Sequence, residues 1–495
     1  MTKWRWLRPA WFTCLVLAIL IAFAFSTVAC DKSATTKKEH KAEKKHKKSE
    51  KAEKSEKKSK FETPLDFSTL PDDFPAAMKK IHAALKWSDR KNAMTGEPPA
   101  DVTDVRPYMQ LMVNRDILSK TFELGDGFLV RNQKPAGNFN YMYDWLTKTW
   151  VADDNQVRQG GALWGVALCH KYKPAKESKA ALDKGIKYWF DQTIPGPEGS
   201  LTVKYQNDAN TETGTVALIA LSIIEYLQVE KNIPAAYEKE LRAKLTGYLH
   251  FLRWMQLDNG HFSESFNLES AKRKDKSSPY FDGEAMLCLC KAARYLDYKD
   301  LIPTIEKAAR ATAEDYTVKA WKSDPDSALT KGFYQWGSMS FVEYYESKWK
   351  DYELFGDTTQ ALAWWMVHTH DTMSRRRNHA YALEGLISAY RISKLRKDVP
   401  AMTDLLYVID RSIYKLTSWQ IGGPLENVNK FLVDNKTNDP VALGGIMNAA
   451  KAYPDKAPKK GDTRHELRID VTQHQMHVVT LALTHVYPPD EKAKK

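Results

Sequence analysis

From residue 155 onward one pattern recurs six times. A polar cluster, most often with a Gly or Ala, leads into an apolar stretch that closes near a tyrosine. The instances are NQVRQGGALWGVALCHKY, TETGTVALIALSIIEYL, YFDGEAMLCLCKAARYL, YQWGSMSFVEYYE, RNHAYALEGLISAYR and DVTQHQMHVVTLALTHVY. Gly161 to Tyr172 is eleven residues, and Gly214 to Tyr226 and Gly283 to Tyr295 are twelve, which is about three helical turns. Between these stretches lie others with apolar residues on one side only, around 180–190, 237–255, 301–316, 358–370 and 402–416. Helices that are apolar on most faces belong inside, and amphipathic ones outside. Their alternation predicts an all-α chain whose inner and outer helices pair into hairpins. Six inner helices at irregular spacing fit a closed α/α toroid of about six hairpins, where a solenoid would repeat at a fixed period.

The stretch 122–151 differs. Its Gly, Asn and alternating aromatics predict a small β-hairpin or loop insertion. Residues 65–120 read as two or three helices that complete the outer layer, and 419–467, rich in Gly, Asn, Pro and Lys, as mostly loop.

The first thirty residues are an address. Lys3, Arg5 and Arg8 precede an apolar run from Ala10 to Phe25, and small residues lead to Cys30, the layout of an export signal. Thr27-Val28-Ala29-Cys30 resembles the lipobox of bacterial lipoproteins, with Thr27 where Leu is usual. That resemblance implies acylation of Cys30 and a protein held at the cell membrane, facing the periplasm or exterior. An uncleaved membrane anchor is the alternative. Residues 31–60 hold thirteen lysines against six acids and no apolar residue larger than Ala. Such a segment cannot offset its ordering entropy by burial and reads as a spacer. The expected domains are therefore a signal at 1–30, a linker at 31–61, N-terminal helices with a β/loop segment at 62–150, and the toroid at 151–490.

Charge is concentrated in the leader and linker. Of the net +12, only +2 remains for 61–495, which argues against a nucleic-acid partner. Cys169, Cys288 and Cys290 sit in apolar helical text with no disulfide or zinc spacing, and no metal or cofactor is expected.

In a toroid the inner helices run one way, so their N-termini and the positive ends of their dipoles share one mouth. The residues at those first turns include Asp154, Arg158 and Gln159; Glu212; Tyr280, Asp282 and Glu284; Trp336; Arg377, Asn378 and His379; and Asp470, His474 and His477. Any one of them could be a helix cap, but six clusters at one mouth predict a polar, aromatic-rimmed cleft suited to a glycan. The step Asp258-Asn259-Gly260 reads as a structural turn.

Asn378-His379, followed by Tyr381 and an apolar helix, resembles the Asn-His motif of α/α-toroid polysaccharide lyases such as the alginate and heparin lyases. The resemblance implies that Asn378, with help from Arg375–Arg377, neutralises a uronate carboxylate. His379 would then take the adjacent C5 proton, and a tyrosine would protonate the departing oxygen. Tyr141, Tyr143 and Tyr280 are candidates for that acid. Lyase or epimerase chemistry on a polysaccharide, with a uronate polymer as the candidate substrate, is the first reading. Glu212 and Asp282 are counted with Asn378 and His379 as catalytic candidates, and Arg158, Gln159, Asp154, Tyr280, Trp336, Arg377 and His474 as substrate-binding ones.

Two alternatives stand beside it. A glycoside hydrolase needs two carboxylates, and Glu212 with Asp282 or Glu284 could serve. A non-catalytic envelope protein that binds a glycan or a protein would need no acid–base pair.

Overall fold

The computed structural model describes residues 66–374, 379–448 and 465–489. The leader, the lysine-rich segment, Cys30, Arg377 and Asn378 lie outside the described residues. Among the described residues, no helix is long and apolar enough to cross a membrane.

The helices used below are α1 (Phe74–Ala84), α2 (Arg115–Arg131), α3 (Gln156–Tyr172), α4 (Lys176–Asp191), α5 (Thr213–Val229), α6 (Ala235–Trp254) and α7 (Pro279–Tyr295). They continue with α8 (Ile302–Ala313), α9 (Ala328–Glu346), α10 (Tyr352–Trp364), α11 (His379–Arg396), α12 (Val399–Thr417) and α13 (Ile469–Leu481). Helix α3 packs on α5, α5 on α7, α7 on α9, α9 on α11, α11 on α13, and α13 back on α3. The ring is closed. Behind these lie α4, α6, α8, α10 and α12, each antiparallel to the inner helix that precedes it in the chain, and α2 backs α13. The architecture is the α/α toroid of six hairpins.

The burial pattern explains the two layers. Helix α5 is buried on all faces from Thr213 to Leu227, so it can only sit between neighbours. Helix α4 buries one stripe, including Ala181, Leu182, Gly185, Ile186, Trp189 and Phe190. Its remaining face is solvated. Local signals set the ends: Asn155 caps α3 by accepting from the Arg158 N–H at 3.2 Å, and Asn114 caps α2 through the Ile117 N–H at 2.9 Å.

The sixth hairpin is assembled from distant parts of the chain, with α2 as its outer member. This corrects the expectation of strand or loop from residue 122. Leu118, Thr121, Phe122, Gly125, Phe128 and Leu129 are buried at helical spacing, and α2 runs through to Arg131. Gly125 is small because Met476 of α13 fills the space a Cβ would take. The hairpin lies further on, as β1 (Met142–Asp144) and β2 (Thr149–Val151).

The short strands rim the N-terminal end of the ring. They are β1, β2, β3 (Thr193–Pro195), β4 (Leu201–Val203), β5 (Asn210–Glu212), β6 (Ser265–Asn267), β7 (Lys272–Arg273) and β8 (Leu467–Arg468). Their sheets run β2-β1-β8, β3-β4 and β5-β6-β7. Strands β5 and β8 lead directly into α5 and α13, which fixes the first turn of each inner helix against the rim.

The opposite end is closed by ions. Glu225 of α5 lies between Lys171 of α3, at 2.6 Å, and Lys291 of α7. Arg294 of α7 meets Glu343 and Glu346 of α9 at 2.6 and 2.9 Å, and Arg391 of α11 meets Glu346 at 2.7 Å. Cations near helix C-termini are favoured by the dipole, and here they also tie neighbouring inner helices together.

Candidate active site

At the N-terminal mouth, the last residue of β5 is Glu212, which also occupies the N-cap position of α5. Its N–H donates to Gln156 Oε1 at 3.0 Å. That amide oxygen also accepts from the Thr215 hydroxyl, so α3 holds the start of α5 in place. One turn into α7, Glu284 reaches across to the same spot. Its carboxylate lies where a side chain on Gly214 would begin, with the Phe281 ring beside it. Only glycine leaves room for this approach.

Glu284 is 4% exposed, and its Oε2 has no hydrogen-bond partner. Burial pushes its carboxyl well above the usual range, and the neighbouring carboxylate of Glu212 adds to the effect. Glu212 is more open and is also pushed up, first by burial and then by Asp208, against the pull of Arg158. Deeper burial and the repulsion from Glu212 both favour the protonated form of Glu284. Tyr280 stands at the edge of this pair, 48% exposed. It is close enough to Glu284 for that charge to raise its phenol, with burial the larger cause.

The other side of the mouth is basic. Asp470 receives Arg468 at 2.5 Å and Arg158 at 3.4 Å. Both guanidiniums also lie over the Tyr141 ring, at 5.7 and 5.3 Å. Two arginines share one aspartate here, beside the N-termini of α3 and α13.

Below, the ring interior is filled. Trp164 of α3 lies 5.4 Å from Trp336 of α9 and 4.8 Å from His477 of α13. Glu384 of α11 is fully buried and meets His477 Nδ1 at 2.7 Å and His474 Nδ1 at 3.2 Å. Gln335 also donates to it. Burial would raise the Glu384 carboxyl, but the two histidines outweigh that and hold it below the usual range. The His474 ring faces Tyr381 at 4.3 Å. This cluster forms the floor of the mouth.

The predicted residues therefore divide. Arg158, Glu212 and Tyr280 line the mouth, and Trp336 and His474 form its floor. Asp282 does not face it. Although two residues from Glu284, it points outward, where its carboxylate accepts from the Phe262 N–H at 2.6 Å and the Tyr316 hydroxyl at 2.5 Å and meets His261 at 2.8 Å. It anchors the loop 256–266, as a structural turn would require. Gln159 is likewise turned away. It is fully buried and bonded to the backbone of Phe139 on both sides. Asp154 is occupied by Gln159 at 2.7 Å and the Tyr205 hydroxyl at 2.6 Å, though it also borders a cleft. Tyr143 donates to Asp439 at 2.6 Å. The backbone of His379 opens α11, while its side chain, Asn378 and Arg377 lie outside the described residues. Glu384 and Arg468 were not anticipated. Glu384 is embedded in apolar helical text, and its histidine partners are ninety and more residues away.

No family model matches this chain, and no curated protein matches it in sequence. Among solved structures, similarity extends to an α-mannanase of glycoside hydrolase family 76 from Bacteroides thetaiotaomicron, at 9% identity and a TM-score of 0.51, covering 74% of this chain and 95% of that one. A sugar epimerase from a ruminal bacterium aligns at 11% identity and a TM-score of 0.50, over 74% of this chain and 98% of its own. An unsaturated glucuronyl hydrolase specific for heparin aligns at 9% identity and a TM-score of 0.50, over 76% and 100%. These proteins share the toroid.

Proposed function

We propose that this chain is a carbohydrate-acting enzyme whose mouth hydrolyses a glycosidic bond with Glu284 as acid and Glu212 as base. The observation that carries the reading is the Glu284 carboxyl, buried with one oxygen unpartnered against Glu212. A buried carboxyl whose pKa is raised suits the general acid that glycoside cleavage needs. It passes its proton to the bridging oxygen as the bond to the anomeric carbon breaks. Glu212 takes a proton from the water whose oxygen forms the new bond to that carbon. The related folds carried by a mannanase, a sugar epimerase and a glucuronyl hydrolase support a sugar substrate.

A second reading, proton abstraction from a uronate at Asn378 and His379, is favoured by the basic side of the mouth. Arg158 and Arg468 stand there with Tyr141, and the Tyr381 ring lies tilted against that of His474. We also propose that the protein works outside the cytoplasm, tethered through Cys30 by the spacer at 31–60.

Incubation of the protein with neutral and acidic polysaccharides separates the two chemistries. New reducing ends without ultraviolet absorbance indicate hydrolysis, and absorbance from unsaturated ends indicates elimination. Neither product from any polymer contradicts both.

A further inference from the structure

Beside the mouth lies a cleft of about 370 Å³ bordered by Lys134, Asn140, Tyr141, Trp150, Asp153 and Asp154. Its volume falls in the range of small-ligand sites, roughly 300–1,000 Å³. Trp150, on the edge strand β2, is 46% exposed. One side of the indole is backed by Tyr143 at 4.7 Å, its cross-strand partner in the β1–β2 register. The hairpin is itself held firmly. Strand β1 pairs with β8, the Tyr143 hydroxyl donates to Asp439, and Trp145 Nε1 donates to the His465 carbonyl at 2.7 Å. An indole so supported and so exposed is a fixed platform rather than a core side chain.

We infer that this cleft is a second sugar-binding subsite, which holds the glycan strand beyond the residue cleaved at Glu212 and Glu284. The inference rests on the function proposed above and extends it: the substrate is a polymer or long oligosaccharide. Continuity with the mouth supports it. Tyr141 borders the cleft and also lies under the guanidiniums of Arg158 and Arg468, and Arg158 acts on Glu212. A strand can therefore run from the carboxylate pair past Arg158 and Tyr141 to Trp150. The lining has the mixed character that a sugar requires. The indole face accepts the C–H face of a ring, while the Asn140 amide, the Asp153 carboxylate and the Lys134 ammonium pair with hydroxyl groups.

The test uses the full chain on native affinity gels containing α-mannan or alginate, with calorimetry on the same two polymers. The expected result is retardation of the wild type by one of them. Trp150→Ala should weaken the dissociation constant roughly tenfold, as loss of an aromatic anchor does, and Trp150→Phe should recover most of it. Leu395→Ala alters a side chain 60% exposed at the far end of the ring and should bind as the wild type does. Melting curves of the two Trp150 variants should overlay the wild type, since the indole is on an edge. If the wild type is retarded and Trp150→Ala equally so, the subsite is overturned while the carboxylate reading stands. If neither polymer is retarded, the subsite is overturned, while the carboxylate reading stands or falls on the cleavage assay.

Discussion

Glu225 offers a quantitative test of ring closure, because it joins three consecutive inner helices through Lys171 and Lys291. Burial alone would raise its carboxyl, yet the ammonium groups of Lys291 and Lys171 and the bonds they make hold it at about 2 against an ordinary 4.5. At ~1.4 kcal/mol per unit of pKa, this corresponds to about 3 kcal/mol of folding free energy at neutral pH. The folded pKa is depressed, so the contribution is present above the unfolded value of 4.5 and is lost as pH falls through about 2. Glu225→Gln keeps the shape and removes the charge, leaving two ammonium groups beside an uncharged amide. For a compact unit spanning Thr63–Lys495, with ~2.1 cal/mol/K of unfolding entropy per residue, the melting temperature should drop by roughly 3 °C at pH 7. The difference should fall to less than about half its neutral value near pH 3 and close as pH drops below about 2. Scanning calorimetry across this range provides the measurement. An equal difference at pH 7 and pH 3, or none at either, would refute the argument that the charge network braces the ring.

Two further outcomes follow from the mouth and a third from the loop beside it. Gly214→Ala places a methyl group against the Glu284 carboxylate and the Phe281 ring, and should lower kcat at least tenfold, a barrier increase of about 1.4 kcal/mol, in an assay on whichever polysaccharide is cleaved. Glu284→Gln should be more stable than the wild type at alkaline pH. The folded pKa of this carboxyl is raised, so the wild type loses stability as pH climbs from the unfolded value towards the folded one, and an amide does not; melting curves at pH 6 and pH 9 check it. Asp282→Asn should act through structure. It weakens the bonds to His261, Tyr316 and the Phe262 N–H, costing about 1–3 kcal/mol, and limited proteolysis should then cut the loop 256–266 sooner.

The ring was readable because its inner helices have no polar face: the run from Thr213 to Leu227 could not be a surface helix. Helix α2 was not, because Gly125 and Gly127 resemble loop punctuation, and the demand for a small residue at 125 comes from Met476, some 350 positions later. At the mouth, position just before or within the first turn of an inner helix located Glu212, Arg158 and Tyr280, whose places follow from chain direction alone. Direction within a helix was harder. Asp282 and Glu284 stand two apart on α7, so they point to different sides. Which of them faces the mouth is decided by packing, with His261 and Tyr316 on one side and Gly214 on the other. Gln159 was misplaced for the same reason, since its partner is the backbone of the Phe139 loop.

The most direct measurement compares wild type, Glu284→Gln and Glu212→Gln for release of reducing ends from a panel of neutral and acidic polysaccharides. Cleavage by the wild type of at least one polymer, with each variant reduced at least a hundredfold, is the predicted result. Cleavage that survives in both variants, or that proceeds with ultraviolet-absorbing unsaturated ends, would contradict hydrolysis by this carboxylate pair.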